Sequence, residues 1–529
     1  MPRVAASRGR EFERYSVYNF AGGLDLRTNP RVRAIQKGQN TLSQANECLY
    51  TSSGAVARRL RSQRVETHVG SVRITGGVDY RTANGTQHIV IGTDDGRLLE
   101  VTGTTSAIES AILTTIGTGF TVGTRWYFAT INDKLLCCNR ADALRSWDGT
   151  TLSTISGTNL PLTPGPIAVW RNYVFALDAT NKSRISWCAN PLGITDETDW
   201  SGATSGFAQI DPGDGAICVN LVPGVSEMIV LKSSRPYRWQ GGTPSSATVL
   251  PTTGAVGSAS HHGAVFALND VWYLSRSGVV KLSTSQAFGD LKSSFPSDAI
   301  RPYFEPYTSY SIASQQLDAG MMAYDSSMNL IYIAVDTNGD RDNDLLLVYD
   351  GRLNAWSTWR GLDITAMFPV VDPESGRIEI WVGVWDGTFG RLRVLNRKTS
   401  TSGVTYSPEA RHLSVLNAPG IDKSIRHGFF YFAEKGSHTV TVDCKIDNEQ
   451  VASKSYSVSM LGASKTLGST WTLGVDPLGA RSSIAKRVDL SGVGESFEFG
   501  VKNASATQEW EWLGYDIFWR PRRTIRRGA

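Results

Sequence analysis

Between residues 72 and 395 the sequence repeats one local theme: a short apolar or aromatic run, a tight polar turn, then another short run. HIVIGTDDGRLLEV (88–101), RWYFATINDKLLCCN (125–139), VWRNYVFALD (169–178), EMIVLKSSRPYRWQGG (227–242) and DVWYLSRSGVVKLS (270–283) all follow it. Long stretches with the 3.6-residue period of an amphipathic helix are absent. Val, Ile, Tyr, Phe and Trp suit a pleated, half-buried surface, and Asp-Gly or Asn-Asp supplies the turn backbone. Each segment therefore predicts strand, turn, strand, and the fold class is all-β.

A looser repeat overlies these hairpins. Trp147-Asp148-Gly149, Tyr349-Asp350-Gly351 and Trp385-Asp386-Gly387 share one pattern, and Trp239-Gln240-Gly241 is a degenerate copy. Units of four short strands spaced about 40–50 residues apart predict a β-propeller, in which each blade buries its faces on its neighbours. A β-sandwich or an irregular solenoid is the competing arrangement. The span 72–396 has room for about seven blades. The polar stretch RKTSTSGVTYSPEA (397–410) marks a boundary, and beyond it the segments at 425–460 and 497–521 alternate with period two. Residues 397–529 are thus expected to form a β-sandwich ending in a basic tail. Residues 1–71, rich in Arg and poor in long apolar runs, read as an extended basic segment packed along the other domains.

Charge sharpens this division. Residues 1–73 carry 13 Lys/Arg against 5 Asp/Glu, and the last ten residues carry five Arg and no acid. The formal net charge of the whole chain is +4, so the middle is acidic, at −9. Basic ends on an acidic body point to termini that meet a polyanion or an acidic neighbour. Aromatic residues make up 10% of the chain, with 15 Trp, which excludes a disordered chain. No apolar run approaches the ~18 residues of a membrane span, and the basic N-terminus is not followed by the apolar core of a signal peptide. The six cysteines form no CxxC pair and are too sparse for a disulfide scaffold, as expected for folding in a reducing cytoplasm. Cys137 and Cys138 are adjacent in a strand, so they should face opposite sides.

Catalytic motifs are scarce. There is no GxSxG elbow, no HExxH and no phosphate loop ending in Lys-Ser/Thr. His261-His262 is the one histidine cluster, and neighbouring strand residues would not chelate one metal. Glycoside cleavage needs two carboxylates across the scissile bond. Asp211, Asp214 and Asp290 lie on turns, but spacing does not pair them. Asp336, Asn338, Asp340 and Asp342 place oxygens at every second residue, as in a calcium loop. Gly339 and Arg341 depart from the EF-hand order, and strand-like flanks favour a solvated hairpin tip. Arg520, Arg522, Arg523, Arg526 and Arg527, with Arg58 and Arg59, are the candidates for phosphate or partner contacts that read no base sequence. No enzyme activity, cofactor or metal is expected.

One ordered set of motifs goes further. In FAGGLDLRTNPRVRAIQKGQNTLSQANECLYTSSGAVARRL (20–60), Gly22-Gly23, Pro30, Gly38-Gln39, Asn46, Gly54 and Arg58-Arg59 occur in an order that resembles the N-terminal signature of tail nozzle proteins of short-tailed bacteriophages. The segments at 227–242, 252–283 and 329–359, and the closing WLGYDIFWRPRR, are similar to blades and a final strand of the same family. The resemblance implies a homohexameric, propeller-bearing ring in the virion tail, assembled in the host cytoplasm. Such a ring continues the channel of the portal and adaptor proteins, closes it before infection and allows DNA ejection. It also implies anchoring of fibres or spikes, although the large insertions of the best-known nozzles are missing here. A shorter head-closure plug is the variant this leaves open. An acidic body would let double-stranded DNA pass without specific binding. Two readings from other classes stand beside it: a carbohydrate-binding or glycoside-cleaving propeller that contacts a host surface, and a bacterial propeller acting as an interaction scaffold.

Overall fold

In the computed structural model of the chain, the described residues are 12–28, 40–65, 69–102, 111–252, 256–284, 291–306, 308, 312, 314–397, 406–435, 438–447, 449, 452–460, 483–503 and 508–522. They divide into two compact units. One comprises Leu60–Val348 and Gly361–Val404, and the other Met1–Arg59, Tyr349–Arg360 and Thr405–Ala529.

The first unit is a ring of small antiparallel sheets in chain order. Five have four strands: 74–81, 87–93, 98–102 and 112–117; then 127–131, 134–138, 145–147 and 152–154; then 164–170, 173–178, 184–187 and 206–209. The fourth and fifth are 218–223, 228–232, 236–240 and 248–251, and 264–267, 270–275, 278–284 and 291–294. A sixth begins with 321–325 and 330–335. A seventh joins 363–371, 378–385 and 390–397 to a strand from far upstream, 61–64. The first strands touch in succession from 74–81 through to 321–325, and strand 378–385 touches both 321–325 and 74–81. The circle is closed, and this unit is a seven-bladed β-propeller.

Each of the five quoted hairpin segments folds as strand, turn, strand. Asn132-Asp133, Arg171-Asn172 and Leu268-Asn269 all take positive φ, the backbone of a two-residue hairpin turn whose twist matches its strands. The Asp-Gly repeat marks turns too. Asp148 accepts backbone N–H bonds from Thr150 and Thr151 at 2.9 and 2.7 Å, and Asp386 does the same for Thr388 and Phe389 at 3.0 and 2.7 Å. The two turns occupy different blade positions, however. The first joins third and fourth strands of the second blade, and the other joins second and third strands of the seventh.

Apolar side chains fill the spaces between blades. Ile74, Ile89 and Ile91 of the first blade pack with Phe368, Trp381 and Leu392 of the seventh, so the closing joint is buried. Cys137 packs toward the first blade and Cys138 toward the third, on opposite faces of the second. All six cysteines are buried free thiols.

The second unit is a β-sandwich. One sheet runs in the order 483–488, 423–433, 511–521, 56–58, 48–50, with 13–17 also paired to 511–521 and 492–494 to 423–433. The other joins 44–46, 409–414, 497–502, 439–446 and 454–459, and Thr358 pairs with Asn46 at its edge. Phe430 and Tyr515 from the first sheet meet Phe499 from the second at ring separations of 6.3 and 5.0 Å.

The units differ from a division into contiguous stretches at 71 and 396. Residues 61–64, expected in an extended N-terminal segment, form the outer strand of the seventh blade, and 13–17, 48–50 and 56–58 are built into the sandwich. The reason is the exposed edge. A ring closed by an upstream strand leaves the last blade no unpaired ladder on that side.

Candidate functional site

The arginines singled out in the sequence separate into two kinds. Arg59 is 1% exposed: its Nε pairs with Glu47, and its guanidinium lies over the rings of Tyr406 and Trp359, with centroids 4.1 and 4.8 Å away. Arg58 donates to Gln508 O at 2.6 Å and to the Tyr406 hydroxyl at 2.9 Å. Both were expected to meet phosphates or a partner. Instead they hold strands of the sandwich together, because a buried guanidinium is costly unless a counter-charge or acceptors lie close by. Arg520 and Arg522 are exposed, and Arg520 sits over the ring of Phe12 at 5.4 Å. Arg523, Arg526 and Arg527 lie outside the described residues.

The acidic hairpin folds as a self-capped tip. Asp336 accepts backbone N–H bonds from Asn338, Gly339 and Arg341 at 2.9, 2.7 and 2.8 Å. Asp340 accepts from Asp342 N at 2.9 Å and from the Asn338 amide. Asp342 is held by a two-pronged bond to Arg73, at 2.9 Å on each oxygen. Backbone and arginine thus occupy the oxygens that a cation would need. The turn acids also have structural partners: Asp214 pairs at 2.6 Å with the fully buried Lys232, and Asp211 accepts from the Tyr237 hydroxyl at 2.7 Å. Asp290 lies outside the described residues.

A concave site with a volume of about 660 Å³ lies in the propeller, at the end where the inner strands begin. Its walls come from the second, fourth and fifth blades and the segment leading into the sixth. Arg125 enters it just ahead of the strand 127–131. Its neighbour Trp126 is anchored by close approach, since a Cβ on Gly92 would stand 2.2 Å from the indole ring. Arg125 itself donates to Ala319 O at 2.8 Å. Arg140 follows the strand 134–138 through a turn capped by the Asn139 side chain, which accepts from Asp142 N at 2.8 Å.

Arg140 donates to Nε2 of His261, and Nδ1 of the same ring donates to Val219 O at 2.6 Å. That chain of bonds requires a neutral imidazole. Burial, and then the charge of Arg140, pull the His261 pKa down to about 4. His262 stacks on Tyr127 with centroids 4.4 Å apart, and burial, with Arg125 next, holds it well below the ordinary histidine value. Its Nε2 is shielded from solvent without a hydrogen-bond partner. Arg276 and Arg341 line the mouth, and Arg341 is paired at 2.6 Å with Asp318. Among the described residues lining the cavity, Asp318 is the one carboxylate.

The two histidines stand out in the sequence as a pair, whereas these arginines do not. Each arginine is single in its own polar stretch, and no spacing rule joins residues contributed by different blades.

No family model matches the chain, and no curated protein matches it. Among solved structures, the computationally designed Ika8 protein is 12% identical over 63% of this chain and all of its own, with a TM-score of 0.36. YCF48 bound to D1 peptide is 12% identical over 68% of this chain and all of its own, at 0.40. The extracellular domain of the putative hybrid two component system BT4673 from B. thetaiotaomicron is 12% identical over 72% of this chain and 45% of its own, also at 0.40. At these scores the likenesses add nothing to the topology read from strand pairing.

Proposed function

We propose that this chain is a structural component of a short bacteriophage tail, a nozzle or connector subunit that forms a ring around the DNA path. The observation that carries the reading is the behaviour of the ordered N-terminal motif. Gly23, at φ 63°, lies so close to Ala355 that a Cβ would be 2.7 Å from it. Asn46 accepts from the Thr358 hydroxyl at 2.8 Å, and Arg59 lies between Tyr406 and Trp359. The described members of the motif thus fasten three distant chain segments into one sandwich, a role that suits a rigid building block. A stiff, aromatic-rich β scaffold also suits permanent subunit interfaces, which are depleted in charge. The propeller cavity lends less support to glycoside cleavage, since the one carboxylate among its described lining residues is paired with Arg341.

In this reading the subunit is a homohexamer in the virion tail, borders the portal or adaptor, and lets double-stranded DNA pass without reading it. The test is electron microscopy of the purified full chain, with antibody labelling of intact particles. Sixfold rings and label at the tail tip are the expected results. A monomer at all concentrations together with unlabelled particles would overturn it.

A further inference from the structure

The propeller cavity has an electrostatic imbalance that the nozzle reading does not use. Arg125, Arg140 and Arg276 converge on one concave site from the second and fifth blades. None of the three has a carboxylate partner among the described residues. Arg341 takes Asp318, and the nearby Asp342 is held on both oxygens by Arg73. A guanidinium carries five N–H donors in a planar fork. One Arg125 donor goes to Ala319 O and one Arg140 donor to His261. Unpaired positive charge in a walled cavity is costly to keep and focuses potential on whatever enters. Burial, and after it the charges of Arg140 and Arg125, favour the neutral form of both histidines there. The shielded Nε2 of His262 is a second group with no hydrogen-bond partner among the described residues.

From this arrangement we infer that the cavity binds a small polyanion, a molecule bearing two or more phosphate or carboxylate groups whose oxygens bridge Arg125, Arg140 and Arg276. The planar fork of arginine matches both kinds of oxyanion, and a cavity of about 660 Å³ is of ordinary size for a small-molecule site. A neutral sugar would leave that charge uncompensated. The inference is independent of ring formation or location in a tail.

Titration calorimetry on the full chain in a chloride buffer tests it, with pyrophosphate and citrate as probes and trehalose as the neutral control. The expected result is saturable one-to-one binding of at least one anion and none of trehalose. Pyrophosphate alone would assign a phosphate ligand, citrate alone a carboxylate ligand. Arg140→Gln should weaken binding by about tenfold or more, the usual worth of a charge-assisted bond. Arg276→Ser, at an exposed position where folding is not at risk, should weaken it by a smaller factor. Arg487→Ser, at an exposed position in the other unit, should leave it unchanged. Absence of saturable binding to both anions, or equal affinity in wild type and Arg276→Ser, would overturn the inference.

Discussion

The two units use arginine in opposite ways. In the sandwich, Arg59 is enclosed by a carboxylate and two aromatic rings, so its charge is spent on holding strands together. In the propeller, Arg125 and Arg140 enter a cavity that supplies backbone and imidazole partners but no acid of their own. One charge is matched by a carboxylate, and the others have no carboxylate partner among the described residues. Burial alone therefore does not mark an arginine as structural or functional. The presence of a counter-charge does.

That contrast is broken most directly at Arg59. Replacing it with Ala leaves Glu47 buried and unpaired, and should cost about 3–5 kcal/mol in chemical denaturation. Arg59→Lys should recover only part of that, because lysine lacks the planar stack. A loss below about 1 kcal/mol for Arg59→Ala would remove the distinction between the two units.

On the propeller side, pH is the next lever. The His261 pKa falls from 6.5 to about 4 on folding, chiefly through burial and then Arg140. The unfolded chain therefore binds a proton that the folded chain refuses as pH drops. Stability from this group is complete above pH 6.5 and declines as pH falls toward 4, by about 2–3 kcal/mol. Thermal unfolding of His261→Gln across the same window should show a shallower decline than wild type, and an identical slope would contradict the assignment.

Gly92→Val carries a comparable or slightly smaller effect. Its side chain would collide with Trp126, costing about 1–3 kcal/mol. Because Trp126 precedes the strand that positions its neighbour Arg125, anion affinity should fall with stability, whereas Arg59→Lys should lower stability alone. The smallest effect belongs to Arg520→Ser. An exposed arginine over one aromatic ring should change stability by no more than about 0.5 kcal/mol.

Much of the propeller was legible because its signals are local. Alternating runs, positive-φ turn pairs such as Asn132-Asp133, and the opposite burial of Cys137 and Cys138 all follow from neighbours a few residues apart. The Asp-Gly repeat identified tight turns correctly but not one fixed place in a blade, since an Asx-capped turn serves any hairpin equally well. The acidic hairpin is a similar case. Its oxygen spacing is that of a calcium loop, yet backbone N–H groups at the tip take up Asp336.

Long-range choices were hidden. Arg58 and Arg59 stood out as a charged pair in a motif, and nothing local showed that Glu47, Tyr406 and Trp359 would enclose Arg59. Arg140 and His261 are 121 residues apart, so their bond left no trace in spacing.

By itself, then, the sequence determined an all-β chain of strand–turn–strand units with a separate alternating C-terminal module, since side-chain period and turn chemistry act over a few residues. Only the tertiary structure decided that 61–64 closes the seventh blade, that the sandwich draws on three separated stretches, and that three arginines with no carboxylate partner among the described residues share a cavity. Those outcomes depend on which exposed strand edge finds a partner and which charge finds none, and both are settled when distant parts of the chain meet.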